Sequence, residues 1–539
     1  MKFFPATVSL CLLLLAACEE AGPRIDSIYP RIGAMGEVLV IRGENFGHDR
    51  DESFVSIGGI SPTSSAYIEW KDTFISLRTP EFGESGLVYV HRGDKKSNAA
   101  LFSNREVIPQ PVSGEGVGHE PRISAVEPRS GAIGQAVTIR GSNFGASREG
   151  SGVFFAWAAE ASPAAPAEVS GPSAVEVFES DLGYELWSER EIRVRVPDGA
   201  ISGGLEVRTP RGNSGIEFFE VTGKPGTKTY RDKRSYVLSY AVNIKVEEAS
   251  ADHTLYLWVP RPVSSASQRR VEALSRTPEP FVENHRGTTL YRLKNLEPGG
   301  DAGISLSYLV EVYAVETGLR PQLIKKAAPA PVDNVYLLPS PLIPSEDPRI
   351  QQQAAAICGR ETNPYLKAEK IYRWIIAEKA LAAEPQNGGA LEALEAEALD
   401  SYMAALLFCA LARASGIPAL PVAGVLIDKF PGTIRHYWAE FRVEGFGWVP
   451  LDIALAAGAA PPNFSLRPDR ESYYFGNLDN QRITFSRGQT VLSQMDPRGR
   501  VTQRDREYAL QNLWEESVGG LESYSSLWSE ITITGIYVQ

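Results

Sequence analysis

One segment of the chain occurs twice, and that repeat limits the folds open to its first two hundred residues. The first copy opens on Pro23-Arg24-Ile25-Asp26-Ser27-Ile28-Tyr29-Pro30-Arg31, the second on Pro121-Arg122-Ile123-Ser124-Ala125-Val126-Glu127-Pro128-Arg129. Gly36-Glu37-Val38-Leu39-Val40-Ile41-Arg42-Gly43-Glu44-Asn45-Phe46-Gly47 returns as Gly134-Gln135-Ala136-Val137-Thr138-Ile139-Arg140-Gly141-Ser142-Asn143-Phe144-Gly145, at the same offset of 98 residues. Farther along, Trp70 and Ile75 return as Trp187 and Ile192, now 117 residues apart. The second copy therefore carries 19 extra residues, and the Ala/Pro/Ser-rich run Ala158–Ala174 is the predicted place, as an exposed loop. A repeat of this length means two copies of one folding unit. Leu39 and Ile41, matched by Val137 and Ile139, are spaced two apart, as in a strand with one buried face. The shared glycines, Gly43/Gly141 and Gly47/Gly145, predict positive-φ turns or bulges rather than a phosphate cradle.

This pattern resembles the IPT/TIG family of immunoglobulin-like β-sandwiches, over about 23–107 and 121–221. The resemblance implies spacer or binding modules, not catalysis. At about 150 residues per domain, 539 residues leave room for one or two more. Ile108–Glu120 and Thr222–Lys228 read as Pro/Gly linkers. Beyond them Tyr236, Leu238, Tyr240, Val242, Ile244 and Val246 alternate without a break, and a third β-sandwich is predicted over 229–318. A Pro-rich crossing, Pro321–Pro348, leads into helical sequence. The expected fold class is therefore three β-sandwich (Ig-like) domains followed by an α+β domain over 346–480, with 481–539 left as a C-terminal extension.

The formal net charge of −12 argues against nucleic acid as a partner, since phosphate-backbone binding needs a Lys/Arg surplus. Four Cys and six His make neither a disulfide scaffold nor a zinc module, and no metal or cofactor is expected. Residues 1–17 have the short cationic start and apolar core of a secretory signal. Leu15-Ala16-Ala17-Cys18 resembles the bacterial lipobox, which implies cleavage before Cys18, lipid on Cys18 and a membrane-anchored envelope lipoprotein. Cys11 leaves with the signal, so Cys358 and Cys409 remain, either paired in an oxidising compartment or as two buried thiols.

Chemistry, if any, belongs to the α+β segment. Asn363-Pro364 predicts a helix start, with Ala368, Ile371 and Ile375 on its apolar face. Residues 391–415 are again helix-prone, and Gly416-Ile417-Pro418 ends them. Leu411-Ala412-Arg413-Ala414-Ser415-Gly416-Ile417-Pro418-Ala419, His436-Tyr437-Trp438-Ala439-Glu440 and Gly447-Trp448-Val449-Pro450-Leu451-Asp452 are similar, in this order, to the three blocks of bacterial transglutaminase-like domains. Tyr473 to Asp479 resembles the tail of such proteins. The family belongs with papain-like thiol enzymes, so the resemblance implies a Cys at a helix N-terminus, a His that shares its proton and an Asp that orients the His. His436 and Asp452 match the last two roles, and Trp438 would neighbour the cleft.

The nucleophile is missing. The family's Cys stands fifteen residues before the Gly of G-I-P, and that position is Ser401. Cys409 lies eight residues farther on, about 12 Å along a helix. Asp400 could cap a helix starting at Ser401, or one helix could run through from Leu391. The sequence thus points to an exported, lipid-anchored protein with a non-catalytic transglutaminase-like domain. Its partner would be a protein, a peptide or another envelope component such as peptidoglycan. Two alternatives stay open: a Ser401–His436–Asp452 acyl-transfer enzyme, and an adhesin or scaffold acting through its Ig-like modules. Mass spectrometry of the membrane fraction is expected to find an acylated Cys18 as the first residue. A soluble mature chain starting elsewhere would refute the lipoprotein assignment.

Overall fold

A computed structural model describes residues 22–104, 120–159 and 173–538, with short breaks within them. Cys18, most of the linker Ile108–Glu120 and most of the run Ala158–Ala174 lie outside the described residues. The chain divides into two compact units, one ending at Val117 and one running from Gly118 to the last residue.

The first unit is a sandwich of two sheets. One has the order Arg24–Tyr29, Val38–Glu44, Phe74–Arg78, Tyr67–Lys71; the other has Ile32–Gly33, Ala100–Asn104, Gly86–Arg92, Phe54–Ile57. Between them lies a core of Ile25, Ile28, Leu39, Ile41, Val55, Ile75 and Phe102. The second copy has the same plan within the second unit, with Arg122–Glu127, Ala136–Ser142, Glu191–Arg195 and Tyr184–Trp187 in one sheet. Its second sheet adds the strand Ser173–Glu176, paired to Phe154–Trp157, at the end of the inserted run.

The repeated glycines have a steric reason. In each copy the first strand bulges, between Ile25 and Ser27 and between Ile123 and Ala125. A Cβ on Gly43 would stand 1.9 Å from the Arg24 carbonyl oxygen, and one on Gly141 would stand 2.0 Å from that of Arg122. Gly47 and Gly145 sit at φ 94° and 93°, where a side chain is strained.

The third β-domain is built on one strand of 35 residues, Gly226–Pro260, which begins inside the segment read as a linker. Asp301–Leu319 pairs with its first half and Thr288–Lys294 with its end. The other edge is taken by the end of the chain: Thr532–Val538 pairs with Arg234–Ser239, and Glu515–Trp528 with Val242–Leu257. The segment 481–539 is thus no appendage. Without it the long strand would keep one edge of unpaired backbone groups, and Ile531 and Ile533, buried beside Tyr236 and Leu238, would be missing from the core.

The α+β domain has helices α1 (Pro348–Cys358), α2 (Pro364–Glu378), α3 (Ala390–Glu395) and α4 (Ser401–Ala414). The side chain of Asn363 accepts from Tyr365 N and Leu366 N and so starts α2 as the sequence predicts. Helix α4 is buried without interruption from Tyr402 to Ala412. It packs on an antiparallel sheet of order Gly447–Leu451, Thr433–Val443, Ala419–Ile427, Arg482–Arg487. The last of these strands lies beyond residue 480, the end assigned to the domain from sequence. Cys358 and Cys409 are free and buried. Among the described residues no helix is long and apolar enough to cross a membrane.

Two substitutions test this architecture. Ile533→Ala should lower the unfolding free energy by about 2–5 kcal/mol, as buried large-to-small changes do. Leu527→Ala, on a side chain left 69% exposed, should cost less than about 0.5 kcal/mol. Denaturant titration of the two variants decides whether the last strands belong to the core.

Candidate functional site

Ser401 is the first residue of α4, and the helix does not run through from Leu391. Helix α3 stops at Glu395, Ala398–Leu399 makes a short parallel pair with Ala380–Leu381, and Asp400 then caps α4. The Asp400 carboxylate accepts from Met403 N at 2.9 Å and from Gln386 N at 3.1 Å, while Asp400 N donates to Gln386 Oε1 at 3.2 Å. Capping chemistry overrides the Ala/Leu/Glu propensity here, and Ser401 stands in the positive field of a 14-residue helix.

His436 sits opposite Gly424 on the strand Thr433–Val443. Its Nε2 lies 2.8 Å from Asp452 Oδ2. With Asp452 ionised, Nε2 carries the proton and donates, so a neutral ring keeps a bare Nδ1. Asp452 follows the strand Gly447–Leu451 and caps α5 (Ile453–Ala457), where its Oδ1 accepts from Leu455 N at 3.0 Å. A guanidinium shares the carboxylate: Arg482 Nη1 donates to Asp452 Oδ2 at 2.9 Å, and Arg482 Nη2 to Asp479 Oδ2 at 2.6 Å. The Arg482 guanidinium also lies 4.9 Å from the centre of the Trp438 ring, and Trp438 stacks on His436 at 6.3 Å.

Burial alone would raise the Asp452 pKa. His436, Arg482 and the Leu455 N–H together outweigh it and bring the pKa down to about 2. Arg482 belongs to none of the family blocks. Its only signal was position: it stands three residues beyond Asp479, the last residue of the recognised tail block.

The structure joins His436 to Asp452 but makes no hydrogen bond from Ser401 to His436 among the described residues. Successive residues of a strand face opposite ways. Tyr437, Ala439, Phe441 and Val443 pack in one cluster with α4, and the ring of Tyr402, second residue of that helix, lies 5.0 Å from Tyr437. Trp438, which shares the parity of His436, packs instead with Leu420, Val422, Trp448 and Leu478. Neither thiol substitutes for Ser401. Burial pushes the Cys409 thiol up to about 12, and Cys358 Sγ lies 3.3 Å from Ser415 Oγ in the helical layer. Among the described residues no three His, Cys, Asp or Glu side chains group to hold a metal ion.

Comparison with known proteins agrees with this anatomy. The transglutaminase-like superfamily profile matches residues 351–453, and the IPT/TIG domain profile matches 23–103 and 121–159. The chain thus carries a transglutaminase-like domain behind N-terminal IPT/TIG domains. An uncharacterized protein of Haemophilus influenzae is 26% identical, over 47% of this chain and 79% of that protein. Among solved structures, one from Cytophaga hutchinsonii named "Putative Cysteine Protease" is 17% identical, covers 58% of this chain and 93% of its own, and has a TM-score of 0.38. The Plexin A4 extracellular region is 20% identical over 41% of this chain and 20% of that one, with a TM-score of 0.20.

The depressed Asp452 pKa has a consequence for stability. A carboxyl near 3.8 when unfolded and about 2 when folded stabilises the fold above pH 4 by about 2 kcal/mol, and that contribution disappears as pH falls through 2. The stability advantage of wild type over Asp452→Asn should shrink between pH 4 and 2. An advantage as large at pH 2 as at pH 6 would contradict this account.

Proposed function

We propose that the protein is an exported, lipid-anchored envelope protein whose transglutaminase-like domain binds a protein or peptide without turning it over. The observation that carries the reading is Ser401, a hydroxyl at the helix terminus where the family places its thiol, with no hydrogen bond to His436. A cysteine titrates near 8.5 and a helix end can lower it further. A serine hydroxyl is far less acidic and must lose its proton during attack, which requires a base aligned on Oγ and an oxyanion hole. The His436–Asp452 pair without such a contact is a structural strut, all the more because Arg482 shares the carboxylate. Residues Cys358 and Cys409, both buried, offer no replacement nucleophile.

A second reading has its own support. Asp400 leaves Ser401 at a capped helix N-terminus, and with Nε2 on Asp452 no hydrogen bond reaches His436 Nδ1 among the described residues, as a Ser401–His436–Asp452 acyl-transfer enzyme would need. A third reading, an adhesin or scaffold working through the Ig-like modules, rests on the family of those modules alone.

Amine incorporation and peptide or amide hydrolysis, assayed on wild type and Ser401→Cys, separate these readings. The binding reading expects no turnover from wild type, and at most a weak thiol-dependent signal from the variant. A wild-type activity abolished by both Ser401→Ala and His436→Ala would assign the enzyme class instead. A misplacement of about 1 Å costs roughly a hundredfold, so the variant should remain slow.

A further inference from the structure

Two residues of the family blocks take no part in the His436–Asp452 pair: Glu440 of H-x-W-x-E and Trp448 of G-W-x-P-x-D. Both lie where the second Ig-like module, the third β-domain and the α+β domain meet. Arg487, at the end of the strand Arg482–Arg487, lies between two carboxylates. It donates through Nε and Nη2 to Glu440 Oε2 at 3.0 and 2.6 Å, and through Nη1 to Asp181 of the second module. Its side chain is 5% exposed. A second buried cation, Lys228, spends all three protons in the same place: on Asp198 Oδ1 and Oδ2 of the module at 2.6 and 2.8 Å, and on the Trp448 carbonyl at 2.6 Å.

The backbone of Trp448 is held from both sides, because its N–H donates to Asp198 Oδ2 at 3.2 Å. Its ring meets the edge of Tyr336 at 4.8 Å, and Tyr336 Oη reaches Ser180 O of the module at 3.3 Å. Gly447 is required beside it. At φ 96°, a Cβ there would stand 2.5 Å from Asp198 Oδ1. A cavity of about 30 Å³ lies between these groups, lined by Asp181, Asp198, Tyr230, Glu440 and Arg487, with room for a water or two.

We propose that Glu440, Trp448 and Arg487 form a receptor for the second Ig-like module, with Lys228 as its bolt, so that this module and the α+β domain open as one body. The charges are desolvated and paired across the joint, and removing one partner leaves the other buried and unpaired. Spacer modules have no need of such a contact. The second module is by this reading a wall of the transglutaminase-like domain. The inference is independent of whether Ser401 turns over a substrate.

Limited trypsin digestion of the full mature protein, read by mass spectrometry, tests it. Cleavage after Lys228 should be slow in wild type. It should accelerate about tenfold or more in Asp198→Asn and in Arg487→Met, because proteolysis follows the population of the opened form. Arg140→Met, which removes an exposed ion pair with Glu127 in the same module, should leave the rate unchanged. If Arg487→Met does not fold, Asp181→Asn removes one of its two carboxylates and should still accelerate cleavage. Wild-type rates in both joint variants, or wild type cut after Lys228 as fast as the unfolded chain, would overturn the proposal.

Discussion

The carboxylate of Asp452 holds four elements in register. One oxygen caps α5, and the other accepts from His436 on the strand Thr433–Val443 and from Arg482 on the strand Arg482–Arg487, while the backbone continues the strand Gly447–Leu451. A fully buried anion survives only when charges and donors outweigh its desolvation. Asp452 has an imidazole, a guanidinium and a backbone N–H, and its pKa is lowered in spite of complete burial. The same network explains why Arg482, two residues beyond the boundary read at residue 480, belongs to the α+β domain.

A serine at position 401 and an intact His436–Asp452 pair are compatible with each other. In a thiol enzyme the His–Asp pair serves the nucleophile. Here it serves the fold, because its carboxylate anchors Arg482 and the start of α5. A substitution at position 401 leaves those contacts in place, since Ser401 is bonded to none of them. Change at Asp452 is costly whether or not chemistry remains. The two positions therefore differ in their contacts: Asp452 ties elements of the fold together, and Ser401 is bonded to none of its partners.

Long-range pairing shapes the rest of the molecule. The strand Gly226–Pro260 takes partners from residues 288–319 on one edge and from residues 515–538 on the other. The α+β domain is thus inserted between the strands of the third β-domain, whose apolar cluster also takes in Val425 and Phe485 of the neighbouring sheet. Joined in this way, the two cannot be treated as independent beads on a string.

Local periodicity and the repeat were enough to determine the two Ig-like modules, the start of α2, the alternation of the third β-domain and the three family blocks. These are local properties of the chain: a buried face every second residue, a glycine pattern that recurs with the repeat, a cap before a helix. Only the tertiary structure decided that α3 and α4 are separate helices, because the Asp400 cap is completed by Gln386 from another segment. It alone supplied Arg482, whose role depends on a carboxylate 30 residues away, and gave the last strands their place beside a strand nearly 300 residues earlier. Contacts of that sequence separation leave no periodic trace in either partner, since each side sees only half of the geometry.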